Sequence, residues 1–235
     1  MGLPAARPGP QEYDLRLLPT WAADGTLQRV LDAARRAVRR QAGRAEEPTA
    51  GAIDSQSVKA APGVSEGVGT DGGKKVRGRK RHALTDTLGL LLCVSVTAAN
   101  VSDGRAAPAV LDQLTAPDRA SLRVVFADGR YHDTVCEGWF ADRPGVRLEV
   151  VGRPADAVGF VPIRKRWVVE RTFGWLVTNR RCVREYEKRV WSSEARVRVA
   201  AFGMMVRRLK NNDDIGHGAI SVGGHNYVMP RPAAA

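Results

Sequence analysis

At 235 residues and 43% hydrophobic content, the chain can build one sizeable core with a small accessory segment. Its formal net charge of +12 creates a field that draws polyanions such as nucleic acid. Cys93, Cys136 and Cys182 are too scattered for a disulfide framework or a zinc site, and the longest apolar run, 88–99, falls short of the ~20 residues that cross a bilayer, so no membrane partner is expected.

Residues 1–20 are rich in Pro, Gly and Arg and show no clear period. Leu27, Val30, Leu31, Ala34 and Val38 recur at helical spacing and predict a helix over 20–44. Arg35, Arg36, Arg39 and Arg40 fill its other side, which reads as a solvated face. A linker follows at 43–51, then a short strand at 52–58 and a Gly-rich exposed loop at 61–73. Residues 74–86 and the apolar 88–99 predict a hairpin turning at Thr87-Leu88-Gly89. A helix over 103–114 has Ser102 as its N-cap. Residues 122–128 are apolar almost throughout, as buried parallel strands are. A helix at 133–142, a strand at 147–151, and helices at 166–188 and 195–210 complete the order, with a loose tail at 211–235. The alternation predicts an α/β fold: one mixed sheet, an antiparallel hairpin plus parallel strands, flanked by helices.

Three acids stand out by position. Asp54 lies inside a strand, where Asp is disfavoured. Asp128 ends an apolar strand just before Gly129, a usual place for a functional group at the carboxyl edge of a sheet. Glu170 lies in the first turns of a helix whose apolar stripe is read as Val168, Thr172, Trp175, Leu176 and Val183. It shares the other stripe with Arg166, Phe173, Val177 and Arg181. Each acid also has a plainer reading: Asp128 as a turn residue, Glu170 as a partner of Arg166 one turn earlier. Together they match the needs of phosphodiester chemistry, in which two divalent ions roughly 3.5–4 Å apart activate the nucleophile and stabilise the leaving oxygen. Hard Mg²⁺ prefers carboxylate oxygen, so three carboxylates suffice without His or Cys.

Four stretches carry a resemblance. They are AIDSQSVK at 52–59, GKKVRGRKRHALTDTLGLLL at 73–92, RWVVERTFGWL at 166–176 with Arg180-Arg181 and Tyr186-Glu187 beyond it, and Phe126-Ala127-Asp128-Gly129 with Tyr131. In this order they resemble bacterial insertion-sequence transposases of the DDE class, in the IS-four/IS-five superfamily, over about residues 50–210. The resemblance implies a ribonuclease-H-like catalytic domain at 51–210, after a residual helical and linker segment at 1–50 and before the tail at 211–235. It implies that the first and fourth strands are parallel neighbours, setting Asp54 beside Asp128, with Glu170 from a late helix as the third catalytic and metal-binding acid. Two Mg²⁺ or Mn²⁺ ions, cutting at the element's terminal inverted repeats, joining of the freed 3′-hydroxyl to target DNA, and a homodimer or larger assembly on DNA belong to the same implication. So does a place in the bacterial cytoplasm, at the nucleoid. The chain departs from the family pattern around its glutamate, with Ile163 at the Tyr position and Val177 at the Lys position, and Arg130 stands where a second Gly is frequent. Relatives carry a longer helical front, so a truncated or frame-shifted start is expected, and with it either a working transposase or a remnant that only binds DNA. A cellular nuclease of the same fold, such as a junction resolvase, is the further alternative.

The run 74–82 concentrates positive charge beside the first strand. Lys75, Arg77, Arg79, Lys80 and Arg81 are expected to include DNA-backbone contacts, joined by Arg166, Arg180 and Arg181. The competing reading is a solubilising strand edge. His82 is expected to be a satisfied core or surface residue, and His132, His217 and His225 have no ligand spacing. Trp139, Trp175 and Trp191 are expected in the core, leaving Trp167 as the aromatic placed to meet an unpaired base.

Overall fold

The computed structural model describes residues 10–152, 164–211, 220–222 and 225–227. Its centre is a six-stranded mixed sheet in the order β2-β3-β1-β5-β6, with β4 also pairing β3. The long strands are β1 (Ala50–Lys59), β3 (Val76–Asp86) and β4 (Leu91–Ala98). The short ones are β2 (Gly69–Asp71), β5 (Val124–Ala127) and β6 (Arg147–Val150). β1 runs antiparallel to β3 and parallel to β5, and β5 runs parallel to β6. This curled mixed sheet flanked by helices is compatible with a ribonuclease-H-like fold, as expected.

The hairpin turns where the sequence places it. The Asp86 carboxylate accepts from the Leu88 and Leu90 amides, and Gly89 takes φ 78°, a left-handed conformation that costs glycine nothing. At the other end of β3, Gly78 lies so close to β1 that an added Cβ would stand 1.9 Å from the Val58 carbonyl oxygen.

Each face of the sheet has its own apolar layer, as the period-two alternation of a strand requires. On one face Ala52, Ala83, Val124 and Phe126 pack against α2 (Thr26–Gln41), α6 (Arg164–Leu176) and α7 (Val190–Asn211) through Leu31, Val38, Val169, Phe173, Leu176 and Val197. On the other, Ile53, Leu84 and Val125 meet α3 (Asp103–Leu111) and α5 (Thr134–Ala141) through Ala107, Val110, Cys136 and Phe140. α2 thus contributes to the same core as the late helices. No helix of the described residues is long and apolar enough to cross a membrane.

Several elements differ from expectation. The first predicted helix is two: α1 (Pro10–Ala23), in a stretch without visible period, and α2, separated at Gly25 with φ 76°. The arginine side of α2 is not a solvated face. Arg35 is fully buried against Asp32 and Asp118, and Arg39 is buried against Asp86, while Arg36 and Arg40 remain near solvent. Asp118 lies on α4 (Ala116–Ser121), a short helix that the pattern did not announce. The Gly-rich loop contains β2, whose Asp71 side chain receives the Gly73 and Lys74 amides and the Ser57 hydroxyl. The predicted helix over 166–188 ends at Leu176. Thr178 and Asn179 follow, and their side chains bond to main-chain groups in place of the helical ladder, at the Trp175 carbonyl and the Arg181 amide. The core stripe of α6 is Val169, Phe173 and Leu176, with Val168 only half-buried and Val183 exposed. Part of the expected tail is described, β7 (Ile220–Val222) paired antiparallel with β8 (His225–Tyr227). Ile163 and His217 lie outside the described residues.

Candidate active site

The register of β1 and β5 pairs Ala52 with Phe126, and two residues further along stand Asp54 and Asp128. Asp54 shares its sheet face with its β3 partner Ala83, the face covered by α6. α6 brings Arg166 and Glu170, one helical turn apart, over Asp54 in β1 and Asp128 just past β5. The Nη2 atom of Arg166 lies 3.9 Å from Asp54 Oδ2, 3.6 Å from Asp128 Oδ2 and 3.2 Å from Glu170 Oε1. One nitrogen therefore touches all three acids, although they are far apart in sequence and come from three elements.

The electrostatics follow from this convergence. Burial pushes the Asp54 carboxyl up to about 7, and the neighbouring charges of Asp128 and Glu170 add to the rise. The Ser55 amide, 2.7 Å from Asp54 Oδ1, and the Arg166 guanidinium oppose it. Asp128 is held by its own turn, its Oδ1 accepting from the Arg130 amide at 2.9 Å. The side chains of Asp54 and Asp128 are 15% and 20% exposed, whereas that of Glu170 is 39% exposed, so the cluster opens to solvent on the helix side. Tyr131 is buried beneath, and its hydroxyl has no hydrogen-bond partner among the described residues. Burial and the charges of Asp54, Asp103 and Asp128 hold that hydroxyl protonated far above neutrality.

The donor set, all carboxylate oxygen, has the chemistry that hard divalent cations take. Its spacing is not that of a closed metal site. Among the described residues no three His, Cys, Asp or Glu stand close enough to hold an ion, and at these acids the cation present is the Arg166 guanidinium. The electrostatic requirement is nonetheless plain: three carboxylates share one cationic group, and burial makes the charged form of Asp54 costly without more.

The basic run is divided by its strand. Lys75 and Arg77 are exposed. Arg79, Lys80 and Arg81 are buried, which corrects the expectation that they meet DNA. Arg79 donates to the carbonyls of Glu66, Glu187 and Lys188, and Arg81 to the carbonyl of Cys182 and to Glu185. Lys80 reaches Asp103 and the Val101 carbonyl. These cations tie the segment after α6 and the start of α3 to the sheet, and none is available to a phosphate. Arg180 and Arg181 are exposed, with Arg181 paired to Glu187. His82 is buried, as expected, but only half satisfied: Nε2 lies 2.9 Å from the Thr97 hydroxyl, while Nδ1, 4.0 Å from Asp103, has no hydrogen-bond partner among the described residues. Trp139 is buried, Trp175 and Trp167 are half-buried, and Trp191 is exposed at 43%, contrary to its expected place in the core.

One residue beneath the site was missed. The sequence pattern marks Asp103 only as the start of a helix, yet it is 3% exposed and accepts from the Ser55 hydroxyl at 2.8 Å. The available signal was AANVSDG at 98–104, an acid placed directly after a long apolar strand.

A mixed sheet with one acid inside a central strand, a second at the end of its parallel neighbour, and a third on a helix across them defines a protein of ribonuclease-H-like build. Residues 45–199, well over half of the chain, match the family model of the transposase DDE domain, and the chain belongs to that family. The membership supports a transposase function in general terms. No curated protein matches the chain.

Proposed function

We propose that this chain is a metal-dependent DNA transposase that cuts phosphodiesters at the ends of its element and joins the freed 3′-hydroxyl to target DNA. Asp54, Asp128 and Glu170 are its catalytic acids and metal ligands. The observation that carries the reading is the gathering of all three around one Arg166 nitrogen at 3.2–3.9 Å. When bound, two Mg²⁺ or Mn²⁺ ions would activate the attacking oxygen and stabilise the leaving one. The chain's own contribution is positional. β1 and β5 hold two acids side by side, α6 sets the third, and Arg166 neutralises part of their charge. Exposed Lys75, Arg77, Arg180 and Arg181 are the proposed backbone contacts, and two or more copies on paired ends the proposed assembly.

The test is cleavage and strand transfer on duplexes bearing the element ends, with Mg²⁺. Asp128→Asn should bind such DNA nearly as the parent does while losing cleavage by at least roughly a thousandfold, the scale on which an essential electrostatic group acts. Equal cleavage by the two would end the proposal. Cutting of branched DNA without strand transfer would point instead to a cellular nuclease, and binding without any cleavage to a remnant.

A further inference from the structure

On the sheet face opposite the three acids, β1 and β3 present Ser55, Ser57, Lys80 and His82, since Ser55 pairs with His82 and Ser57 with Lys80. The first turn of α3 caps this face with Asp103. Its Oδ1 accepts from Ser55 Oγ at 2.8 Å and stands 3.0 Å from Lys80 Nζ and 4.0 Å from His82 Nδ1. Its Oδ2 faces Arg130 Nη1 at 3.7 Å. Ser55 follows Asp54, and its amide binds the Asp54 carboxylate. Arg130 lies two residues after Asp128, and its amide binds the Asp128 carboxylate. One buried carboxylate thus hydrogen-bonds the Ser55 side chain and faces the largely exposed Arg130 guanidinium, and the amides of these two residues hold the strand-borne acids.

The packing around it leaves little freedom. A Cβ on Gly104 would stand 2.2 Å from Asp133 Cβ and 3.2 Å from the Arg130 carbonyl oxygen, so α3 sits directly against the turn behind Asp128. Lys80 is buried, with Asp103 as its charge partner, and such an ion pair keeps its geometry because either charge alone would be costly. A single carboxylate thus spans β1, β3 and the turn after β5 at once.

We infer that Asp103 is a positioning residue for the catalytic acids: through Ser55 on one side and Arg130 on the other, it sets the separation of Asp54 and Asp128. The inference rests on the proposed role of those two acids as metal ligands. Partners that orient metal ligands from behind change affinity by roughly ten- to a hundredfold when removed.

The test is calorimetric titration of MnCl₂ into the full chain, with urea denaturation of every variant to measure stability. Asp128→Asn identifies the heat that belongs to this site. Asp103→Asn should weaken Mn²⁺ binding by roughly ten- to a hundredfold, and Ser55→Ala by less, since it removes one link without uncovering a buried charge. Asp118→Asn, which breaks a buried pair with Arg35 on another part of the molecule, supplies a destabilised variant whose Mn²⁺ affinity should not move. Parental affinity in Asp103→Asn, or an equal loss in Asp118→Asn at matched stability, would overturn the inference. If Asp103→Asn does not fold, Ser55→Ala and Arg130→Gln carry the same test, and parental Mn²⁺ affinity in both would overturn it. A parent chain that binds no Mn²⁺ would sink the metal-ligand reading itself, and the positioning role with it, an outcome visible before any variant is compared.

Discussion

Arg166 decides how the acidic cluster behaves without metal. Three carboxylates around one guanidinium leave an excess of negative charge that a second cation would relieve. Arg166→Met should therefore lower the stability of the metal-free chain, and added Mn²⁺ should restore more of it than in the parent. A thermal-shift series with and without MnCl₂ measures this, and an Mn²⁺-induced shift no larger than the parent's would refute it. His82 makes a separate prediction. Burial, aided by the charge of Lys80, holds its imidazole pKa below the usual 6.5, against the opposing pull of Asp103. The unfolded chain then binds a proton that the folded chain refuses. The contribution of His82 to stability is complete above about pH 6.5 and declines as the pH falls below it, by at most about 1.4 kcal/mol per pH unit. Chemical denaturation between pH 7 and pH 5 should show that decline, and it should be shallower in His82→Gln.

At the scale of elements, the close approach of β1 and β3 makes Gly78 the least replaceable residue of the sheet. The 1.9 Å separation between an added Cβ and the Val58 carbonyl oxygen can be relieved only by parting two backbones. Gly78→Ala should cost about 3 kcal/mol or more, read from the urea midpoint, because overpacking against main chain finds no rotamer to escape to. The helices are joined by buried charge as well as by apolar contact. Arg35 on α2 reaches Asp118 on α4 at 2.6 Å, both inside the molecule. Asp118→Ala leaves the buried guanidinium only its longer, 3.3 Å contact with Asp32 and should cost about 3 kcal/mol in the same measurement. The same logic explains why the helix predicted over 166–188 stops early. Buried Arg79 and Arg81 need acceptors, and the segment after α6 supplies them from Glu185 and the carbonyls of Cys182, Glu187 and Lys188, which a continuous helix would keep for itself.

For the whole molecule, the net charge of +12 matters less than its distribution. Arg35, Arg39, Arg79, Lys80 and Arg81 are occupied inside, so the surface field comes from cations such as Lys75, Arg77 and Arg180. DNA affinity should fall steeply with salt, by about 0.9 logarithmic units per logarithmic unit of salt for each phosphate contacted. Replacing Lys75 and Arg77 together with Ala should reduce that slope by about two contacts' worth, equally on any DNA sequence. A salt titration by fluorescence anisotropy gives the slope, and an unchanged value would remove both from the interface.

The acids, the hairpin and the α/β order were legible in the sequence because each leaves a local mark. Asp inside a strand, Asp-Gly at a strand end and Gly at a turn all break the prevailing pattern for a physical reason. Charge partners leave no such mark. That Arg35 and Arg81 would turn inward and that Asp103 would lie under both strand acids depended on contacts between residues 48 to 104 positions apart. Local pattern records what a residue prefers in water or in a core; only the packed fold decides which of its polar groups find a partner there.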